Sequence, residues 1–447
     1  MVYLWSKLAL LALITRISAA PISIPLGKTG QSLTINDNGE LSIAGRTINI
    51  AEIIRTETSC SSSSHRGGHH RGGGKNSTST ANGPKAVYFI TNAANNSIVA
   101  LKVNDDGTLS NGSMTSTGGV GLSGLDATGG PAAPDSLFSQ GSIKVAGNNL
   151  VAVNPGSNTI SMFSIDPNDA TRLTMVGKPA NSLGEFPISV TLSTKLNQAC
   201  VANSGAKAGV ACFSMSATEG LTPLDTSLRA FNINQTTPPV GPTNTVSQVF
   251  FNSDSTALLT TVKGDPTVNN TGFLSIFPVA NGKVSTQDIR SSPAGTAVLF
   301  GTALLPNTNN IFVTDASFGS ATLAISNNGI ASVAAQTKIA DQAATCWAAF
   351  SDVTNSAFVT DVAVNHLVEV DTTSGALIKE TNLTNGNPGM IDLVSAGNFI
   401  YALSPGNATT KATVTVFDVS GGQGSARQIQ NFIVEGVPDS AQGMAFV

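Results

Sequence analysis

From residue 85 onward the chain repeats one order of segments, and that order restricts its possible folds more than any other feature. A short β-rich run ends at a turn position seven times: "YFIT" before Asn92, "VAV" before Asn154, "CVA" before Asn203, "LLTT" before Val262, "FVT" before Asp315, "FVT" before Asp361 and "YAL" before Ser404. In most copies an alternating strand follows after a short polar loop, as in "SIVALKV", "TISMFSI" and "TVTVFDV". A further apolar run, such as "GSIKVA", "CWAAF" or "MIDLV", precedes every copy except the first. The missing run lies at the other end of the chain, where "AQGMAFV" (441–447) follows the last copy and has no copy of its own. The C-terminal strand is therefore expected to complete the first unit and close a ring. Residues 86–447 divided by seven give about 52 residues per unit, the size of a four-stranded propeller blade. The expectation is an all-β, seven-bladed β-propeller over residues 85–447, a closure that also hides the sheet edges.

Three segments precede the ring. Residues 1–20, "MVYLWSKLALLALITRISAA", combine Lys7, an apolar run and a small-residue end, the layout of a cleavable secretory signal; the run is too short for a membrane span. Residues 21–59 contain the hairpin pattern "SLTINDNGELSI", with too few apolar residues for an independent core, so this segment either packs on the main body or is a removable pro-segment. Residues 60–84, rich in Ser, Gly and His, read as a flexible linker because nothing apolar offsets the entropy of ordering them. His65, His69 and His70 lie there without a carboxylate or thiol framework, and no metal or other cofactor is expected.

A secretory signal makes glycan acceptor triplets usable, and seven occur, at Asn76, Asn95, Asn111, Asn234, Asn269, Asn382 and Asn407. Charged residues make up only 11% of the chain, so Ser, Thr, Asn and sugar must wet the surface. A net charge of −4 argues against nucleic acid or anionic lipid as partners, since both require a basic footprint. Of the four cysteines, Cys200 and Cys212 fall on successive strands flanking "NSGAKAG"; they are expected to form a disulfide, with two buried free thiols as the alternative.

The turns "NPGSNTISMFSID" and "NAANNSIVALKVNDDGTLS" resemble the strand-loop-strand units of the seven-bladed lactonase-type propellers, which include 6-phosphogluconolactonase and 3-carboxymuconate cyclase. The chain is most similar to secreted fungal glycoproteins of the 3-carboxymuconate cyclase-like kind. That resemblance implies a His and Arg set at the channel mouth and metal-independent chemistry on a small carboxylate or lactone.

In a propeller the mouth is formed where outer-to-inner connections meet second-to-third turns. Asn92, Asn154, Asn203, Val262, Asp315, Asp361 and Ser404 would ring it. The polar members read either as caps of their own turns or, for Asn92, Asn154, Asn203, Asp315 and Asp361, as ligand-binding groups. His366 is the only histidine in the ring portion of the chain, and Arg229 and Arg290 lie near the connections before the fourth and fifth blades. One candidate catalytic set therefore has the two arginines gripping carboxylates while His366 moves a proton. Trp347 reads as core packing or as a sugar-stacking platform. No G-x-S-x-G nucleophile elbow in a strand-to-helix context and no phosphate-binding glycine loop is present. Two functions remain: a secreted cell-surface or cell-wall glycoprotein whose propeller is a binding scaffold for a cell-wall or host-matrix component, or a lactonase or cyclase.

Overall fold

The structure is a computed structural model that describes residues 22–26, 31–35, 41–43, 46–48, 83 and 85–447. The expected signal peptide, the linker apart from Gly83, Cys60, the three linker histidines and Asn76 lie outside the described residues. The chain divides into two compact units, 1–79 and 80–447. In the first, Ile22–Leu26, Gln31–Ile35, Leu41–Ile43 and Arg46–Ile48 form an antiparallel four-stranded sheet in sequence order. The hairpin read from the sequence is its central pair, with Leu33 opposite Ile43 and Ile35 opposite Leu41.

The second unit is a ring of seven antiparallel sheets. Its closing sheet joins Gln442–Phe446 to Ala86–Ile90, Ser97–Val103 and Leu109–Ser116, so the last residues of the chain form the inner strand of blade 1. Ala445 pairs with Tyr88 and Phe446 with Val87, while Met444 is fully buried. Blades 2 to 7 take their inner strands from Ile143–Ala146, Pro187–Ser193, Val246–Phe251, Leu299–Leu304, Thr345–Ser351 and Ile391–Ala396. Neighbouring inner strands touch all the way round the ring.

Residue pattern explains the layering. Inner and second strands have neighbours on both faces, so "FVT" and "VAV" runs are buried at every position, as in Ser356–Asp361 and Leu150–Asn154. Outer strands have one wet face and alternate, as in Ala331–Lys338. Fully burying each Val, Leu, Ile or Phe contributes roughly 1.5–3 kcal/mol, and the blades are further joined by buried phenols: Tyr88 Oη donates to Ala170 O across to blade 2, and Tyr401 Oη donates to Gly107 O across to blade 1. Cys200 and Cys212 face each other on adjacent strands of blade 3 and are joined as a disulfide; Cys346 is a buried free thiol.

One regularity was not legible in the sequence. The inner strands of blades 1, 3, 4, 5, 6 and 7 each slip register near their first residues, at 442/445, 187/189, 246/248, 299/302, 345/347 and 391/393. Such bulges re-aim backbone groups. Here they free carbonyls and side chains at the axial end of the ring.

Candidate functional site

The ring of turn residues is present, and its polar groups face protein. Asp315 accepts from Ala297 N and Val298 N in the incoming connection and from Ser317 N and Oγ in its own turn. Asp361 does the same with Ala343 N, Ala344 N, Ala363 N and Val364 N. Each carboxylate thus locks an outer-to-inner connection onto a second-to-third turn, and both are fully buried. Asn92, in a left-handed conformation with φ 49°, donates to Leu122 O and Ser136 Oγ and accepts from Leu122 N. Asn154 donates to Thr159 Oγ1 and Ser161 Oγ and accepts from Asn96 Nδ2. Asn203 donates to Ser182 O and Gly209 O, and its Oδ1 has no partner among the described residues. The ligand-binding reading of these five residues is corrected: they hold turns together and offer no open polar surface.

A protein segment occupies the place a ligand would take. The connection between the outer strand of blade 1 and the inner strand of blade 2 passes over the mouth, and its residues 134–142 descend into the axis. Pro134 O accepts from Gln442 Nε2, and Ser136 Oγ donates to Ser440 O, both just at the blade 1 closure. Ser139 Oγ donates to Ile188 O of blade 3, and Gln140 N to Ser247 O of blade 4. The Gln140 carboxamide donates to Thr302 O of blade 5 at 3.3 Å and Ala348 O of blade 6 at 2.8 Å, and accepts from Ala348 N at 2.9 Å. Gly141 N donates to Asp392 Oδ2 of blade 7. The segment then continues as blade 2 itself, so all seven blades hold it. Gly301 makes room: a Cβ there would meet Gln140 Oε1 at 2.0 Å.

Trp347 belongs to this plug. It is fully buried, donates from Nε1 to Ser139 O and packs edge-on against Phe300 at 5.2 Å. Its reading as a sugar platform is therefore corrected to core. Lys263, the residue after the apolar ring position Val262, is also part of the plug. The residue is 1% exposed, and its ammonium donates to Phe138 O at 2.6 Å and Ser247 Oγ at 2.9 Å and lies 4.3 Å from the Phe300 ring centroid. Burial lowers the Lys263 ammonium from its ordinary pKa and raises the Asp135 carboxyl, each partly opposed by the charge of the other. Burial likewise raises the Cys346 thiol. Perturbed groups of this kind mark active sites when they line a cleft. Here they are buried in and around the plug: Lys263 holds Phe138 O, Asp135 accepts from Phe138 N within the segment, and the Cys346 thiol is buried beside them. Asp392, pushed up to about 6 by burial against the pull of Lys144, is the corresponding anchor in blade 7.

The candidate catalytic set is not one site. His366 opens the third strand of blade 6, is 1% exposed, and its Nδ1 is 2.8 Å from Glu380 Oε1 on the outer strand of the same blade. The arginines lie elsewhere, in short outermost strands of blades 3 and 4, Arg229–Ala230 and Ile289–Ser291, rather than in the connections to the next blade. Arg229 is buried: it donates to Ser285 O and Val284 O, pairs with Asp225, and lies 5.7 Å from the Phe277 ring. Arg290 pairs with Asp288 and covers Phe273 and Phe231 at 4.5 and 5.4 Å. The structure thus brings the two arginines to one cavity of about 350 Å³ at the seam of blades 3 and 4, together with Asp225 and Asp288 and without a histidine. Each charge there already has its opposite.

Two other cavities flank blade 4. One of about 500 Å³ shares Arg290 and is lined by Phe231, Asn234, Asp265 and Phe273. The other, of about 310 Å³, opens between blades 4 and 5 and contains no charged lining residue. The six acceptor asparagines among the described residues, Asn95, Asn111, Asn234, Asn269, Asn382 and Asn407, are all exposed. Among the described residues, no group of three or more His, Cys, Asp or Glu could hold a metal, and no helix is long and apolar enough to cross a membrane.

Solved structures similar to this chain share its architecture. A protein of Lactobacillus plantarum superposes with a TM-score of 0.54 at 16% identity, over 81% of this chain and 99% of its own. A 6-phosphogluconolactonase candidate of Bacteroides fragilis gives 0.54 at 12% identity, over 83% and 99%. A second such candidate, from Bacteroides uniformis, gives 0.50 at 15%, over 64% and 84%. The shared architecture is the seven-bladed β-propeller, and at these identities the likeness extends to fold alone. No protein-family model and no curated protein matches the chain.

Proposed function

We propose, from the premise of a lactonase-type propeller with a filled axis, that this chain is a secreted cell-surface or cell-wall glycoprotein whose propeller serves as a rigid binding scaffold. Its relatives in this reading are the secreted 3-carboxymuconate cyclase-like glycoproteins that its turns resemble. The observation that carries the reading is the 134–142 segment, hydrogen-bonded to every blade where a substrate of a mouth-centred enzyme would sit. Removing it would leave the Gln140 partners Thr302 O, Ala348 O and Ala348 N buried without bonds, at about 1–3 kcal/mol for each group. Exposed acceptor asparagines and the low charge of the chain suit a glycan-wetted surface.

The test pairs turnover with binding. Purified, deglycosylated protein is assayed against 6-phosphogluconolactone, a panel of other lactones and 3-carboxymuconate, and in parallel for retention on insoluble cell-wall polysaccharide. Saturable retention without turnover is expected. Turnover that His366→Ala abolishes would replace the scaffold with a metal-independent lactonase or cyclase.

A further inference from the structure

We infer that the cavity between blades 4 and 5 is a binding site for a neutral saccharide, a reading that rests on the scaffold role and names its ligand class. The cavity lies at the end of the blades opposite the plugged mouth, where inner-to-second and third-to-outer turns emerge: residues 252–257 of blade 4, and 308–311 and 325–329 of blade 5. Its volume of about 310 Å³ is at the lower end of the roughly 300–1,000 Å³ of small-molecule pockets, room for one or two sugar rings.

Its chemistry is two-layered. The floor is aliphatic, with Ile276, Ile289 and Ile311 among its residues, and the rim carries the carboxamides of Asn309, Asn310 and Asn327. Among the described residues these three carboxamides have no hydrogen-bond partner. Asn252 and Asn328 on the same rim are engaged: Asn252 Oδ1 accepts from Ala257 N, and Asn328 Oδ1 accepts from Ser326 Oγ. Those bonds fix two of the turns, and Asn310 N donating to Thr308 Oγ1 braces the third, so the free amides stand on preformed turns and little ordering entropy is lost on binding.

A carboxamide offers a donor and an acceptor side by side, which matches neighbouring sugar hydroxyls, each of them both donor and acceptor. The aliphatic floor suits the C–H face of a pyranose. No acidic or basic side chain lines the cavity, so a charged ligand would lose its hydration without gaining a counter-charge.

The acceptor triplets favour this cavity over the larger one beside Arg290. That one is lined by Asn234, itself an acceptor, and by Val268 and Asn270, which flank the acceptor Asn269. No asparagine of the blade 4–5 rim begins an acceptor triplet. Glycans on the protein would therefore leave this cavity open.

The experiment titrates chitotriose, laminaritriose, cellotriose and mannotriose into the full chain by calorimetry and saturation-transfer NMR, with a trigalacturonate control. Binding of at least one neutral trisaccharide is expected, with none of the acidic one. The double variant Asn309→Ala/Asn327→Ala should weaken it at least tenfold, and Ser253→Trp, which sets a bulky ring on the exposed rim, should abolish it at unchanged Tm. Binding of no neutral trisaccharide, or binding that both variants leave intact, overturns the site. The scaffold role is read separately. If wild type and Ser253→Trp are retained equally on cell-wall polysaccharide, the scaffold stands and this site falls; if neither is retained and no trisaccharide binds, both fall.

Discussion

The plugged mouth and the blade 4–5 cavity are built from the same kinds of residue, and they differ in what their polar groups face. At the mouth Gln140, Asn92, Asn154, Asp315 and Asp361 are buried and turn their polar atoms on the protein. At the opposite end Asn309, Asn310 and Asn327 stand on loops over an aliphatic floor, and their carboxamides have no hydrogen-bond partner among the described residues. A ring of amides and carboxylates is therefore no sign of a site by itself; the availability of donors and acceptors decides. In this propeller the end where a ligand was expected is filled by the chain itself, and open polar groups over a cavity are found at the opposite end.

Substitutions should separate the two ends most strongly at the axis. Trp347→Ala removes the largest fully buried side chain and leaves Ser139 O unpaired, and should cost about 3–5 kcal/mol in guanidinium unfolding, whereas Asn327→Ala should change stability by less than about 0.5 kcal/mol. Equal losses would erase the contrast.

The seam of blades 3 and 4 gives an internal version of the same test. Arg229→Ala removes the counter-charge of half-buried Asp225, which keeps its bond from Cys212 N, and leaves Ser285 O and Val284 O without their buried donor, and should cost about 3 kcal/mol. Arg290, more than a third exposed, should cost under about 1 kcal/mol as Arg290→Ala. Unfolding midpoints compared at constant m-value decide.

A smaller effect sharpens the account of the plug through pH. The Asp392 carboxyl has a folded pKa of about 6, above the ordinary value of 3.8, so the folded state binds its proton more tightly than the unfolded chain does. Its contribution is therefore fully present below about pH 4 and is lost as pH rises through 6, a change of about 2–3 kcal/mol. Asp392→Asn should flatten that limb between pH 4 and 6, whatever constant offset it introduces. An unchanged limb would mean that Asp392 is not a buried anchor of Gly141 N.

The ring itself was legible because each blade repeats one order of apolar run, polar-ended strand and alternating strand, and because "AQGMAFV" had no other place to go. The disulfide strands were legible for the same reason, since local strand pairing sets Cys200 opposite Cys212. The plug was not. "AAPDSLFSQGS" has no periodicity, and its partners lie far along the chain, as with Gln140 and Ala348, 208 residues apart. Lys263 escaped notice because Val262, one residue earlier, occupies the ring position and reads as a break in the polar series. Trp347 on an inner strand was a fair pointer to the axis, though nothing local indicated that Ser139 would accept its N–H. The arginines were misassigned because the outer strands of blades 3 and 4 are each split in two, an interruption that puts Asp225 and Asp288 at the breaks and draws Arg229 and Arg290 back onto the sheets.

Amide hydrogen exchange at Phe138, Gln140 and Gly141 tests the filled axis most directly, because their N–H groups donate to Asp135, Ser247 O and Asp392 inside the ring. A structural plug predicts exchange only through global unfolding, as slow as at Val249 N on the inner strand of blade 4. Exchange at these three amides well before the inner strands open would contradict it, and would return the mouth to consideration as a gated site.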